Sequence, residues 1–484
     1  MRKPLFWVLV LAAGLLVPTA FAQFGQNNLQ RPNDSSGVRI RQGTHLEWQR
    51  AMTAGENGSW YFAWSDTRNG LRGLYMGKVD AAGNLLWTTT VNDGPGRQED
   101  PVLQMVEGGC VIAWIDYRFD AQGGAVYAQK ITTTGQRAWT ANQSDSTSAV
   151  VVAEANNIQI NLRILPDGGT GGVLLFWEDF RRGLSADIWG TRLLSNGQLA
   201  PGFRSNGTPV AVAAASQPYN GEYTVDIDNR GGAWIAWVDN RTSGDPNVYI
   251  QRMRANGTLQ FDSTGHALIT APGEQAKLKL APDGRGGAFL AWRNTPPGEQ
   301  NPELFMQRID SLGAARWAPA DSGVALTNVE GDQVNPRIVY SAVDTCIVAW
   351  EDFRTDPSAN SNEDIYINKV TGSNSINRLW GTNGAPVCVL PSHQREMRLA
   401  SDGHGGAIVV WEDERVASTP EQDSYAQRIG SNGQPLWIAN GKSITDSLSI
   451  GGQIQPLCRE NGNHLLFMWS DTRLGSLPIY RTTW

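Results

Sequence analysis

Short apolar runs ending in tryptophan recur along the chain at nearly even spacing. The clearest is Ala407-Ile408-Val409-Val410-Trp411, of strand length, rich in β-branched residues and too short for a helix. Ahead of it, Glu396-Met397-Arg398-Leu399-Ala400 alternates polar and apolar positions, the period of a half-buried strand. Ser401-Asp402-Gly403-His404-Gly405-Gly406 between the two reads as a tight turn. A third strand is predicted at Ser424-Tyr425-Ala426-Gln427-Arg428-Ile429, and a Ser431-Asn432-Gly433 hairpin turn leads to a last strand opening at Trp437. Nothing in this unit has a helical period.

The same unit recurs eight times. A Trp-x-Asp-x-Arg motif begins at Trp64, Trp114, Trp177, Trp237, Trp350, Trp411 and Trp469, and a decayed copy at Trp292-Arg293-Asn294-Thr295 fills the one gap. The intervals run from 50 to 63 residues. Four short strands per unit, none able to bury both faces of its sheet alone, predict an all-β, eight-bladed β-propeller of four-stranded antiparallel blades over residues 36–484. The last unit stops at its third strand, Ile479-Tyr480-Arg481-Thr482-Thr483-Trp484, while Ser36-Gly37-Val38-Arg39-Ile40 matches the fourth strands Ser322-Gly323-Val324-Ala325-Leu326 and Asn383-Gly384-Ala385-Pro386-Val387. Residues 36–42 are therefore expected to pair near Tyr480 and close the ring, removing an exposed edge.

Residues 1–22 read as a cleaved signal peptide: Arg2 and Lys3, an apolar run from Leu5 to Val17, then Ala20-Phe21-Ala22. Residues 23–35 read as a flexible leader. The expected location is outside the cytoplasm: extracellular, at the cell surface or in the periplasm. The net charge of -7 and pI of about 5.4 exclude a sequence-independent nucleic-acid binder, which needs a basic face. Four cysteines cannot staple a chain this long, and the repeat map separates Cys110, Cys346, Cys388 and Cys458 too far for pairing, so four unpaired, mostly buried thiols are expected.

The order of inner strand, apolar strand ending in Trp-x-Asp-x-Arg, Ile-Tyr strand, Asn-Gly turn and Trp resembles the repeats of sialidase-like propellers. It is more similar still to the propeller repeats of large secreted bacterial surface proteins. The resemblance covers nearly all of the chain beyond the signal peptide and implies the propeller fold. The Asp-box of sialidases, Ser-x-Asp-x-Gly-x-x-Trp, is not reproduced: here the turn runs Asp310-Ser311-Leu312-Gly313-Ala314-Ala315-Arg316-Trp317. The sialidase mechanism this resemblance brings to mind uses three Arg and a Tyr activated by Glu, and no Tyr-Glu pair is assignable here.

Residues repeated in every unit are read as architecture. Trp64, Asp66 and Arg68, Trp350, Asp352 and Arg354, and Trp411, Asp413 and Arg415 are examples: the Trp fills the wedge between blades, the Asp accepts loop N–H groups, and the Arg braces the adjacent blade. Residues that differ between units are the candidates for function. Aligning units on the Trp places Arg163, Lys279, Arg337 and Arg398 at one position of the first strand in units three, five, six and seven. If these strands line the channel, four cations converge in an acidic protein, and the expected partner is an anionic glycan or a surface protein. The alternative is that these side chains fill the channel and pair with the repeated acidic residues. No metal is expected, because the five His lack ligand spacing and there is no Cys-x-x-Cys; no cofactor or catalytic residue is assigned. The expected function is a non-enzymatic binding or structural module using the channel or the loops Pro296–Pro302, Thr355–Glu363 and Val416–Gln422; the alternative is a carbohydrate-active enzyme, a sialidase-like glycosidase or lyase at the channel mouth.

Overall fold

In the computed structural model, the described residues are 38–39 and 47–483, apart from 119–122, 141–144, 146, 156, 170, 184, 214–221, 242–244, 300, 358–360, 416–421, 445–452, 462–463 and 472–478. The signal peptide and leader expected at residues 1–35 lie outside them. Among the described residues there is no α-helix, only one short 3-10 turn at Glu56–Gly58.

The chain forms eight antiparallel sheets in sequence order. Sheet seven shows the plan: Gln394–Ser401, Ala407–Asp413, Asp423–Ile429 and Lys442–Ser443 pair in succession. The second strands are the apolar runs of the sequence, buried along their whole length in sheet seven and equally at Trp60–Asp66 and Val173–Asp179. A run apolar on both faces requires neighbours on both faces, and each sheet has them. Eight apolar clusters fill eight junctions between successive sheets. One of them joins sheet eight to sheet one, through Leu466 and Met468 against Met52, Trp60, Phe62 and Trp64. The first strand of each sheet lies beside the first strand of the next, and Gln453–Asn461 of sheet eight lies beside Glu47–Ala54 of sheet one. The cycle is thus complete, consistent with an eight-bladed propeller whose first strands surround the central space.

The terminal strands meet in sheet eight. Val38–Arg39 pairs with Ile479–Thr483, Val38 opposite Arg481 and Arg39 opposite Tyr480. Asn461 adds a tie across the same junction, donating from Nδ2 to the carbonyls of Gly55 and Ser59 at 2.7 Å each. Deleting residues 23–42 is expected to expose the outer edge of sheet eight and lower the midpoint of thermal unfolding by several degrees. A truncated protein with an unchanged melting curve would show that the strand contributes nothing to closure.

One expectation about the fourth strand is corrected. Trp437 does not open it: the chain makes a single bridge at Pro435 to Ile429, carries Trp437 on an excursion, and returns only at Lys442–Ser443. Trp139, Trp317 and Trp380 likewise precede Val150–Ala153, Val324–Ala325 and Ala385–Cys388. The excursion exists because these indoles reach the next sheet, Trp139 Nε1 donating to the Ser195 carbonyl (3.0 Å) and Trp380 Nε1 to that of Ser431 (3.2 Å). A glycine brings the chain back. Gly384 and Gly441 have φ of +79° and +81°, and a Cβ on either would lie 2.4 or 2.3 Å from the Trp350 or Trp411 ring, so only glycine fits.

Candidate functional site

The repeated motif forms a closed hydrogen-bonded unit. Asp352 is fully buried; its Oδ2 accepts from Trp350 Nε1 (2.7 Å) and Arg354 Nη2 (2.6 Å), and its Oδ1 from the Arg354 backbone N–H (2.9 Å) and Nε (2.8 Å). Asp413 receives the same set from Trp411 and Arg415, and Asp66 from Trp64 and Arg68. The Arg holds mainly to its own sheet, although Arg415 does reach the adjacent one, donating to Cys388 Sγ of sheet six at 3.3 Å. Arg354 stacks 3.7 Å above the Tyr366 ring and donates to the Asn383 carbonyl at 3.0 Å, both in its own sheet. The reason is reach: the turn after the Asp carries the guanidinium over the third strand.

Linkage between sheets comes from residues that the sequence reading passed over. An Asp in the first turn of sheets three, four, five and seven holds an Arg of the third strand, as Asp283 holds Arg308 at 2.8 Å. Arg308 Nη1 then donates to the Gly372 carbonyl of sheet six at 3.0 Å, and Arg252 Nη1 to that of Ser311 in sheet five at 2.8 Å. The Asp-Gly turns are therefore occupied by guanidinium groups. Among the described residues no cluster of acidic, His or Cys side chains could hold a metal ion.

The four candidate cations occupy equivalent ladder positions. Arg163, Lys279, Arg337 and Arg398 pair with Phe176, Ala291, Ala349 and Val410, each the residue before the motif tryptophan position. Just ahead of each cation the first strand carries a β-bulge, with a non-glycine residue in the left-handed region: Asn161, Lys277, Asn335 and Glu396, at φ of 50 to 56°. A bulge re-aims side chains and stores strain, and is enriched at binding sites. The cations act on one another. Burial, then the charge of Arg337 and of Arg163, push the Lys279 ammonium down to about 8, against the pull of Glu222. Arg337 is likewise lowered by burial and by Arg398.

Their hydrogen bonds turn to backbone. Arg163 Nη1 donates to the Leu162 carbonyl (3.0 Å), Lys279 Nζ to that of Leu278 (2.9 Å) and Arg337 Nη1 to that of Pro336 (3.1 Å). Among the described residues these three make no ion pair, whereas Arg398 pairs with Glu396 at 3.3 Å. Among the described residues none of the four forms an ion pair with the repeated acidic residues, Arg398 pairing instead with Glu396 of its own bulge.

Three buried carboxylates stand behind them, Glu178, Glu351 and Glu412, each the second residue of Trp-x-Asp-x-Arg. Asn161 Nδ2 donates to Glu178 (2.6 Å) and Asn335 Nδ2 to Glu351 (2.5 Å). A signal for them was in the sequence: this position is Glu only in units three, six and seven, the three that carry Arg at the aligned first-strand position. Of the loops expected to form a ligand face, residues 300, 358–360 and 416–421 lie outside the described residues. The remainder, such as Pro296 to Glu299, follows the motif at the end of the sheet nearest the bulges. The four cysteines are buried and unpaired.

These features define an all-β protein of eight four-stranded antiparallel sheets with a basic layer on its first strands. No family model matches the chain, and no curated protein matches it. Among solved structures it is similar to a protein of unknown function from Dyadobacter fermentans, at 10% identity and a TM-score of 0.40, over 93% of this chain and 98% of that one. It is similar to polysaccharide lyase Uly1, at 11% identity and a TM-score of 0.44, over 85% and 95%. The β-propeller domain of the Trilobed protease from Pyrococcus furiosus is a third, at 10% identity and a TM-score of 0.43, over 84% and 96%. No function passes from any of them to this chain. Among the described residues no helix is long and apolar enough to cross a membrane.

Proposed function

We propose that this chain is an exported, non-enzymatic eight-bladed propeller that binds an anionic ligand, a carboxylated or sulfated glycan, at the basic layer of its central channel. One observation carries the reading: Arg163, Lys279 and Arg337 form no ion pair among the described residues, yet their charges are felt by one another. Assembling like charges that nearby carboxylates offset only at a distance costs free energy that a bound anion recovers, and guanidinium groups suit the planar carboxylate and the sulfate alike. The layer is one-sided. At the same ladder position, sheets eight, one and two carry Leu457, Ala51 and Val102, so a ligand meets cations on one arc and small apolar side chains on the other.

The test is a glycan array followed by titration with the best acidic hit. Arg337→Ala and Arg398→Ala are each expected to weaken binding by about tenfold, the order expected when a charge-assisted contact is lost. Unchanged affinity in both variants would remove the channel as the binding site.

A further inference from the structure

The three buried glutamates do different work. Glu351 Oε1 accepts the backbone N–H of Met397 in sheet seven at 3.3 Å, and Glu412 Oε1 that of Gln455 in sheet eight at 2.7 Å. Each carboxylate therefore caps the bulge of the following sheet. In sheet five the bulge N–H of Lys277 is capped instead by Glu222, just ahead of the first strand of sheet four. Among the described residues Glu178 has no such partner. The first strand of sheet four pairs straight through, Tyr223 with Trp237 and Thr224 with Ala236, with no bulge and no left-handed residue. With no bulge there is no freed N–H to cap.

Glu178 is left with Asn161 Nδ2 alone among the described residues, and it is 2% exposed. The groups around it are few. Asn161 and Arg163 face it from the first strand of its own sheet, and uncharged Ile188 lies across from it on the third strand. From sheet four comes Tyr223, whose hydroxyl donates to the carbonyls of Asn161 and Phe176 and whose ring lies 5.4 Å from the Arg163 guanidinium. Arg163 itself is exposed, with Glu178 on one side and, from sheet two, the Asp100 carboxyl near enough to feel its charge.

We infer that Glu178 is the proton-linked regulator of the channel anion site: with a proton on Glu178 more of the charge of Arg163 is available to the ligand, and without it an inward carboxylate competes for that charge. This rests on the anion-binding function proposed above. Burial pushes the Glu178 carboxyl up to about 7, against the hydrogen bond from Asn161 and the charge of Arg163, so the switch falls in the neutral range. Linkage then requires that an anion bound at Arg163 and the proton on Glu178 favour one another equally. Glu351 and Glu412, fixed by backbone N–H groups of the next sheet, hold their places whether or not ligand is present.

The experiment is calorimetric titration of the whole protein with inorganic sulfate, which keeps its charge throughout, at constant ionic strength from pH 5.5 to 7.5. Two buffers of different ionisation enthalpy report proton uptake. Lys279, held down to about 8, begins to lose its proton at the upper end of this window, so the contribution of Glu178 is read as the difference between the wild type and Glu178→Gln, which share Lys279. The wild type is expected to bind three- to tenfold more weakly at pH 7.5 than at pH 5.5, with proton uptake on binding, since one linked proton gives at most about tenfold per pH unit. Glu178→Gln is expected to keep the low-pH strength up to about pH 7, with proton uptake well below that of the wild type and confined to the upper end of the window. Wild-type binding that is independent of pH, yet lost in Arg337→Ala, would overturn the role of Glu178 and leave the anion site standing. Absence of sulfate binding at every pH would overturn both.

Discussion

Asp352→Ala is expected to destabilise the protein by about 3–5 kcal/mol, the cost of removing one partner from a buried ion pair. The substitution strands two groups: the Trp350 indole N–H in the junction between sheets five and six, and the Arg354 guanidinium, which keeps only Tyr366 and the Asn383 carbonyl. Sheet five shows the milder form of the same loss. There Asn294 and Pro296 stand in place of Asp and Arg, and the buried Trp292 Nε1 has no hydrogen-bond partner among the described residues. Asp352→Asn is accordingly expected to cost less than Asp352→Ala. Denaturant unfolding of the two variants checks this; a loss below about 1 kcal/mol for the alanine would place the motif among ordinary surface ion pairs.

Stability is expected to fall as pH rises from about 5 to 8. Burial raises Glu178 and Asp226 to about 7 and Asp187 to about 6, while the unfolded chain releases the same protons near pH 4. Between those values the folded state holds more protons than the unfolded state, so the stabilisation present at low pH is lost as pH climbs to the folded value and is flat beyond it. A shift of this size corresponds to roughly 3 kcal/mol for Glu178 alone. Asp344 works in the opposite sense, burial being outweighed by the hydrogen bonds of Arg285 and Arg308 that lower it, so its contribution disappears in acid and the optimum lies near pH 5. Glu178→Gln is expected to gain a few kcal/mol at pH 8 and nothing at pH 5. Equal effects at the two values would show that the carboxyl is ionised in both.

The architecture was legible because it is written eight times. The Trp spacing gave the sheet count, and the match of Ser36–Ile40 to other fourth strands gave the pairing of Val38 with Arg481. The alignment that placed Arg163, Lys279, Arg337 and Arg398 at one position agrees with the ladder. What escaped was whatever depends on a residue's relation to the next unit rather than to its own copies. The first-strand bulges leave no mark in composition, since Asn161, Lys277 and Glu396 are not residues that announce positive φ as glycine does. The third-strand Arg and its turn Asp, such as Arg308 and Asp283, lie 25 residues apart, and only the closed hairpins bring them together. Glu178 was visible as a repeat irregularity, but its isolation depends on the straight pairing of Tyr223–Ile227.

The caps on the bulges also decide what can be exchanged. Because Glu351 and Glu412 reach from a second strand into the sheet that follows, a repeat cut at its sheet boundaries carries half of one joint and half of another. Transplanting sheet six alone would leave the bulge of its new neighbour facing a carboxylate that fits only if that neighbour has a free N–H to offer. The transferable piece is therefore offset from the visible one, running from the second strand of one sheet to the first strand of the next. A ring lengthened or shuffled by duplication in that frame keeps the Glu351 and Glu412 joints intact, and one assembled from whole sheets does not.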